Sequence, residues 1–151
     1  MDEIDFAILG ILQRDGRTPY TDIAQKLNIS EGTVRHRVNR LLKQGALEVV
    51  GVVDPQQAGF DTQAVVAVSV QPSELERAAK KIAEFAEVTY MVMVSGEFDL
   101  FVEVVCRNRE HLMNFLSHEM LQVPGVQRTQ TFMVLKAYKN AHGAPMLNNK
   151  I

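Results

Sequence analysis

The chain has 151 residues with 16 Lys and Arg against 18 Asp and Glu, a formal net charge of −2. That length suits one medium domain or two small ones with a workable core, and the near-neutral balance excludes a protein that holds nucleic acid by bulk positive charge. A lone cysteine, Cys106, excludes an intrachain disulfide; with no signal segment and no apolar run of membrane-spanning length, the expected compartment is the cytoplasm, with no membrane partner.

Charge is unevenly placed along the chain. Residues 1–51 hold seven basic and seven acidic side chains, and residues 52–151 hold nine and eleven. Between Ser30 and Lys43 there are four Arg or Lys and one acid, Glu31. Any contact with DNA is therefore expected to be local, with the C-terminal half facing away from the duplex.

Residues 2–14 place Ile4, Ile8, Ile11 and Leu12 on one face and stop at Asp15-Gly16, which predicts a first helix. Thr18 is expected to cap a second helix, with Pro19 at its first position and Asn28 as a left-handed terminator. Ser30 is expected to cap a third, which runs to Lys43 ahead of Gly45 with Val34, Val38, Leu41 and Leu42 as its apolar stripe. At about 100° per residue, Gly32, Thr33, His36, Asn39, Arg40 and Lys43 point away from that stripe, with Arg35 and Arg37 on its flanks.

Two short helices joined by a tight turn have helix-turn-helix spacing, and the basic second helix suits the major groove of double-stranded DNA. The candidate DNA-binding residues are Ser30, Thr33, Arg35, His36, Arg37, Asn39, Arg40 and Lys43. Arg35 and Arg37 are assigned to phosphates, and His36, Asn39 and Arg40 to base edges. The plainer alternative is a helical hairpin with a solvated basic face.

The β-branched run Ala46–Val53 predicts a strand leading out of this head (residues 1–50), and residues 51–61 read as the joint. Residues 62–139 then alternate as strand, helix, strand, strand, helix, strand. The expected strands are Ala64–Gln71, Val88–Ser95, Phe98–Cys106 and Val126–Tyr138. A capping box at Ser73–Glu76 opens one helix, with Leu75, Ala78, Ala79, Ile82 and Ala86 inward; Asn108 caps the other, with Leu112, Phe115, Leu116 and Met120 inward. Gly96-Glu97 reads as a two-residue hairpin. The fold class is α+β: a helix-turn-helix head followed by a ferredoxin-like βαββαβ sheet with both helices on one face. Ala64–Val70 and Val88–Val94 are largely apolar on both alternating faces, so the face without helices is expected to be covered by a partner subunit. Residues 140–151 lack periodicity and read as a loosely ordered tail.

Several stretches taken together resemble the Lrp/AsnC (feast/famine) family of regulators. They are MDEIDFAIL, DGR at 15–17, YTDIAQKLNIS, TVRHRVNRL, VVDPQQAGF, SGEFDLFVEV and VPGVQRTQTFMVLK, in order across residues 1–139. The resemblance implies a DNA-binding head, a ferredoxin-like regulatory domain, dimers that assemble into octamers or larger discs, and an amino-acid effector. It places the effector near Gly96, Glu97, Phe98 and Asp99 and the strand segment 128–131, including Thr129 and Thr131. There a Gly-led turn can offer N–H groups to a carboxylate, Asp99 can take an ammonium, and the two threonines share one strand face. His36 and Asn39 stand at variable positions of the recognition helix, so the operator is open.

Two other functions compete. Sirohaem decarboxylases resemble this family and use His and Arg side chains on a porphyrin; here His111 and His118 lie two turns apart on one expected helix. A nonspecific protein that wraps DNA on a disc is the second. The four histidines lack metal-ligand spacing, and neither a phosphate-binding glycine loop nor a catalytic triad is present, so no catalytic residue, metal or cofactor is assigned.

Overall fold

The first helix begins with a reciprocal acidic cap. The Asp2 carboxylate accepts from the Asp5 N–H at 2.9 Å, and the Asp5 carboxylate accepts from the Asp2 N–H at 3.0 Å. In the computed structural model, which describes residues 1–139, α1 then spans Glu3–Arg14, α2 Tyr20–Leu27 and α3 Glu31–Lys43. Ile8, Leu9, Leu12, Ile23, Ala24, Val34, Val38 and Leu41 interlock as the buried core of this head.

Asn28 ends α2 in the left-handed conformation (φ 53°), and Ser30 caps α3 by accepting from the Thr33 N–H at 3.1 Å. Two local expectations are corrected. The Thr18 hydroxyl donates backwards to the Asp15 carbonyl (2.8 Å), so Pro19 takes the cap position and its carbonyl receives the Asp22 and Ile23 N–H groups. Leu42 is 39 % exposed, because it is rotated about 80° around the helix from Val34.

The chain divides into two compact units between Val52 and Val53. In the second, β1 (Thr62–Val70), β2 (Val88–Met93), β3 (Leu100–Cys106) and β4 (Val126–Met133) form one antiparallel sheet in the order β2-β3-β1-β4. Helices α4 (Leu75–Ala83) and α5 (Arg109–His118) cover one face, with Ala78, Ile82, Leu112 and Phe115 packed on Val66, Val68, Leu100 and Val102. This is the expected ferredoxin-like order. Asn108 caps α5 by accepting from the His111 N–H at 2.8 Å.

Four further expectations differ from the structure. The run Ala46–Val53 is not a strand: its backbone has no ladder partner among the described residues, and Val49, Val50, Val52 and Val53 are 56–70 % exposed. In place of the Ser73 capping box, a 3-10 turn over Pro72–Glu74 precedes α4, which carries no side-chain cap, and Ala86 lies exposed beyond its end. The hairpin after β2 is longer than two residues, closing where the Val94 N–H meets the Asp99 carbonyl at 2.9 Å. The last strand stops at Met133 rather than Tyr138. The tail expected at residues 140–151 lies outside the described residues.

One glycine is required by packing as well as by φ. Gly125 sits at φ +92°, and a Cβ there would stand 2.4 Å from Glu74 Cβ, so the turn before β4 closes on the 3-10 turn only with hydrogen at that position.

On the other sheet face, cross-strand pairing aligns Val92 with Phe101, Phe101 with Ala67, and Val65 with Phe132. Tyr90 is 61 %, Phe101 37 % and Phe132 47 % exposed there. Among them Glu103 accepts from the Gln63 amide (3.0 Å) and the Thr89 hydroxyl (3.1 Å).

Candidate nucleic-acid interface and ligand loop

Core packing of Val34, Val38 and Leu41 fixes which side of α3 faces outward. His36, Asn39 and Lys43 are exposed at i, i+3 and i+7, and none has a hydrogen-bond or ion-pair partner among the described residues. The other candidates are differently engaged. Arg35 pairs with Glu31 at 2.6 Å and lies over the Tyr20 ring at 5.4 Å. The Ser30 and Thr33 hydroxyls hydrogen-bond each other at 2.8 Å.

Arg37 and Arg40 turn toward α1. Arg37 Nη1 donates to both Asp2 oxygens (2.8 and 2.7 Å) and to Asp5 Oδ1 (2.8 Å), leaving the side chain only 19 % exposed. Arg40 Nη2 donates to both oxygens of Asp5, at 2.7 and 2.6 Å, and that carboxylate is 1 % exposed. Arg37, assigned to phosphates from the sequence, is thus engaged by two carboxylates of α1. The Arg37 hydrogen bond holds the Asp2 carboxyl down at about 2. For Asp5, burial pushes the carboxyl up, but hydrogen bonds from the Asp2 backbone and Arg37, with the nearby Arg40 charge, leave it lowered overall. The same bonds raise Arg37.

Asp5 is the residue that sequence reasoning missed. Its signal was an acid on the apolar stripe of α1, two turns before Leu12, with Asp2 three residues upstream as a capping partner.

The ligand-loop candidates divide into two groups. Asp99 Oδ2 accepts from the Val70 N–H (2.8 Å) while its own N–H donates to the Val68 carbonyl (2.9 Å), so Asp99 straps the loop to the end of β1. Glu97 takes Arg128 Nη2 at 2.9 Å, and that guanidinium lies 4.7 Å from the centre of the Phe98 ring. The N–H groups of Ser95, Gly96, Glu97 and Phe98 have no partner among the described residues. Thr129 and Thr131 pair with Val68 and Val66, which puts them on the helix side of β4, opposite to Arg128. Gly96, at φ +139°, is accounted for by the turn itself.

Both halves match known families. The AsnC-type helix-turn-helix domain matches residues 1–42, and the Lrp/AsnC ligand binding domain matches residues 63–143. The chain belongs to the Lrp/AsnC family. An uncharacterized HTH-type transcriptional regulator of Pyrococcus horikoshii is 35 % identical over 92 % of this chain and 89 % of its own length. A second regulator of that organism, FL11, is 31 % identical over 97 % of both chains. Among solved structures, E. coli AsnC superposes with a TM-score of 0.86 at 25 % identity, covering 96 % of this chain and 99 % of that one. A Neisseria meningitidis transcriptional regulator solved as an L-Met complex has the same fold, with a TM-score of 0.89 at 23 % identity over 97 % of each chain.

As an Lrp/AsnC protein, the chain is a transcriptional regulator with a ligand-binding domain. The histidines that suggested porphyrin chemistry already have partners in this Lrp/AsnC domain. His111 Nε2 meets Glu87 at 3.0 Å while its Nδ1 accepts from the Arg107 N–H, and His118 Nδ1 lies 3.3 Å from the Asn114 carbonyl. Cys106 is fully buried, and burial together with the nearby Glu87 charge pushes its thiol up to about 11.

Proposed function

We propose that this chain is a sequence-specific DNA-binding regulator, acting in the cytoplasm as a homo-oligomer and modulated by a small effector, an amino acid. The observation that carries the DNA reading is the row His36, Asn39 and Lys43, an imidazole, an amide and an ammonium left free on a helix whose opposite side is locked in the core. Such groups reach base edges and phosphates in the major groove. Ser30, Thr33, Arg35 and Arg40 border the row, whereas Arg37 holds the head together. The test is binding to duplexes selected from a random pool by the wild-type chain. Lys43→Ala should lower the salt slope by about one per head, and Asn39→Ala should relax specificity at a cost of about 1–3 kcal/mol. Selected and random duplexes bound equally well by wild type would instead mean a nonspecific wrapping protein.

The exposed valines at 49–53 and the apolar sheet face support a second copy as cover. A symmetric dimer would read half-sites about one helical turn apart, ~34 Å, or a multiple. Assembly of dimers into octamers rests on the family resemblance. The unpartnered N–H groups of residues 95–98, beside the Arg128 guanidinium, suit a carboxylate, and the Neisseria neighbour supports an amino acid as its source. Calorimetry with the twenty amino acids on wild type, Arg128→Ala and Asp99→Ala tests this; undiminished binding in both variants would move the site elsewhere. No catalytic role, metal or cofactor is assigned.

A further inference from the structure

We propose that Asp5 is a positioning residue for DNA reading: its buried carboxylate presents the Arg40 guanidinium to the duplex in one fixed orientation. The inference rests on the proposed reading of DNA through α3.

The carboxylate of Asp5 is fully used. Oδ1 receives Arg37 Nη1 and Arg40 Nη2, and Oδ2 receives Arg40 Nη2 and the Asp2 N–H. An ionised carboxylate has about four lone-pair sites, so nothing is left for solvent to compete for. Arg40 gives only its Nη2 end; Nε and Nη1 have no partner among the described residues, and the side chain is 42 % exposed. It stands four residues after His36 and three before Lys43, at the edge of the free row. A guanidinium gripped at Nη2 by a buried anion is held in one plane, with its Nη1 and Nε donors left for a guanine edge or a phosphate oxygen. An untethered arginine would lose rotamer freedom on binding; here that ordering is completed during folding. The difference is about two- to tenfold in affinity per head.

The experiment is a double-mutant cycle in the full-length chain, read by fluorescence anisotropy on a duplex selected by wild type and on a random duplex. Arg40→Ala should weaken selected-duplex binding by roughly 5- to 150-fold. Asp5→Asn should weaken it by about two- to tenfold more in the wild-type background than in the Arg40→Ala background. Asp5→Asn also loosens Arg37, but that loss is common to both backgrounds and cancels in the cycle. An equal loss in both overturns the inference, because Asp5 would then act only through stability. Arg40→Lys keeps the charge at an exposed site and serves if Asp5→Asn does not fold. Wild-type affinity in Arg40→Lys overturns the inference, and a loss near that of Arg40→Ala supports it. Lys43→Ala separates the two levels. If it weakens binding while Arg40→Ala does not, the inference fails and the reading stands; if neither weakens binding, the reading itself has failed.

Discussion

At Asp2 and Asp5, single protons decide how α1 grips α3. Both carboxyls lie below their ordinary value of 3.8, Asp2 at about 2. A folded-state value below the unfolded one means the folded chain binds fewer protons between the two, so the contribution is complete above about pH 4 and disappears as pH falls toward 2. Thermal unfolding followed from pH 6 to pH 2 should therefore drop more steeply below pH 4 in wild type than in Asp2→Asn. Parallel curves would mean that these ion pairs do not contribute to stability. Gly125 makes a second single-atom prediction. With φ +92° and Glu74 Cβ only 2.4 Å from the site of a new methyl, Gly125→Ala should cost about 2–4 kcal/mol in urea unfolding. Gly45→Ala shares a positive φ (+67°) but meets no atom within 4 Å, and should cost only about 1–2 kcal/mol.

At the scale of elements, caps and periodic stripes were legible because they are local. Ser30 and Asn108 cap the helices assigned to them, Asn28 takes the left-handed position, and the succession of strands and helices along residues 62–133 follows from alternation and turn residues. What was not legible depends on distant partners. Val49–Val53 have strand-like side chains, yet a strand exists only where another backbone completes its ladder. The direction of Arg37 was set by acids 35 and 32 positions away, which no local pattern encodes. The loop after β2 grew beyond its tight turn because Asp99 is bonded to β1. Ser30 offers the test at this scale. Its hydroxyl caps α3, so Ser30→Ala should destabilise the chain by about 0.5–2 kcal/mol with no DNA present, and Ser30→Asp should restore most of that. Unchanged stability in Ser30→Ala would leave DNA contact as its only role.

For the whole molecule, the uncovered sheet face makes the sharpest demand. Tyr90, Phe101 and Phe132 lie exposed around the Glu103–Gln63–Thr89 cluster, so the face is apolar with a polar centre. A second copy placed there would bury the rings and confront one Glu103 with another molecule's surface. Light scattering should give a dimer or larger species at micromolar concentration for wild type. Phe101→Glu should shift it toward monomer by placing a second carboxylate beside the first. A monomeric wild type would remove the basis for palindromic half-sites.

The burial of Cys106 has a practical consequence. A thiol with no exposed surface, held protonated up to about pH 11, is almost inert toward maleimides at neutral pH while the chain is folded. The native protein is thus silent to thiol chemistry without any substitution. A cysteine introduced at an exposed position, Met113→Cys for example, would be the single reactive handle, and a fluorophore attached there would report on assembly without background from the wild-type sulfur.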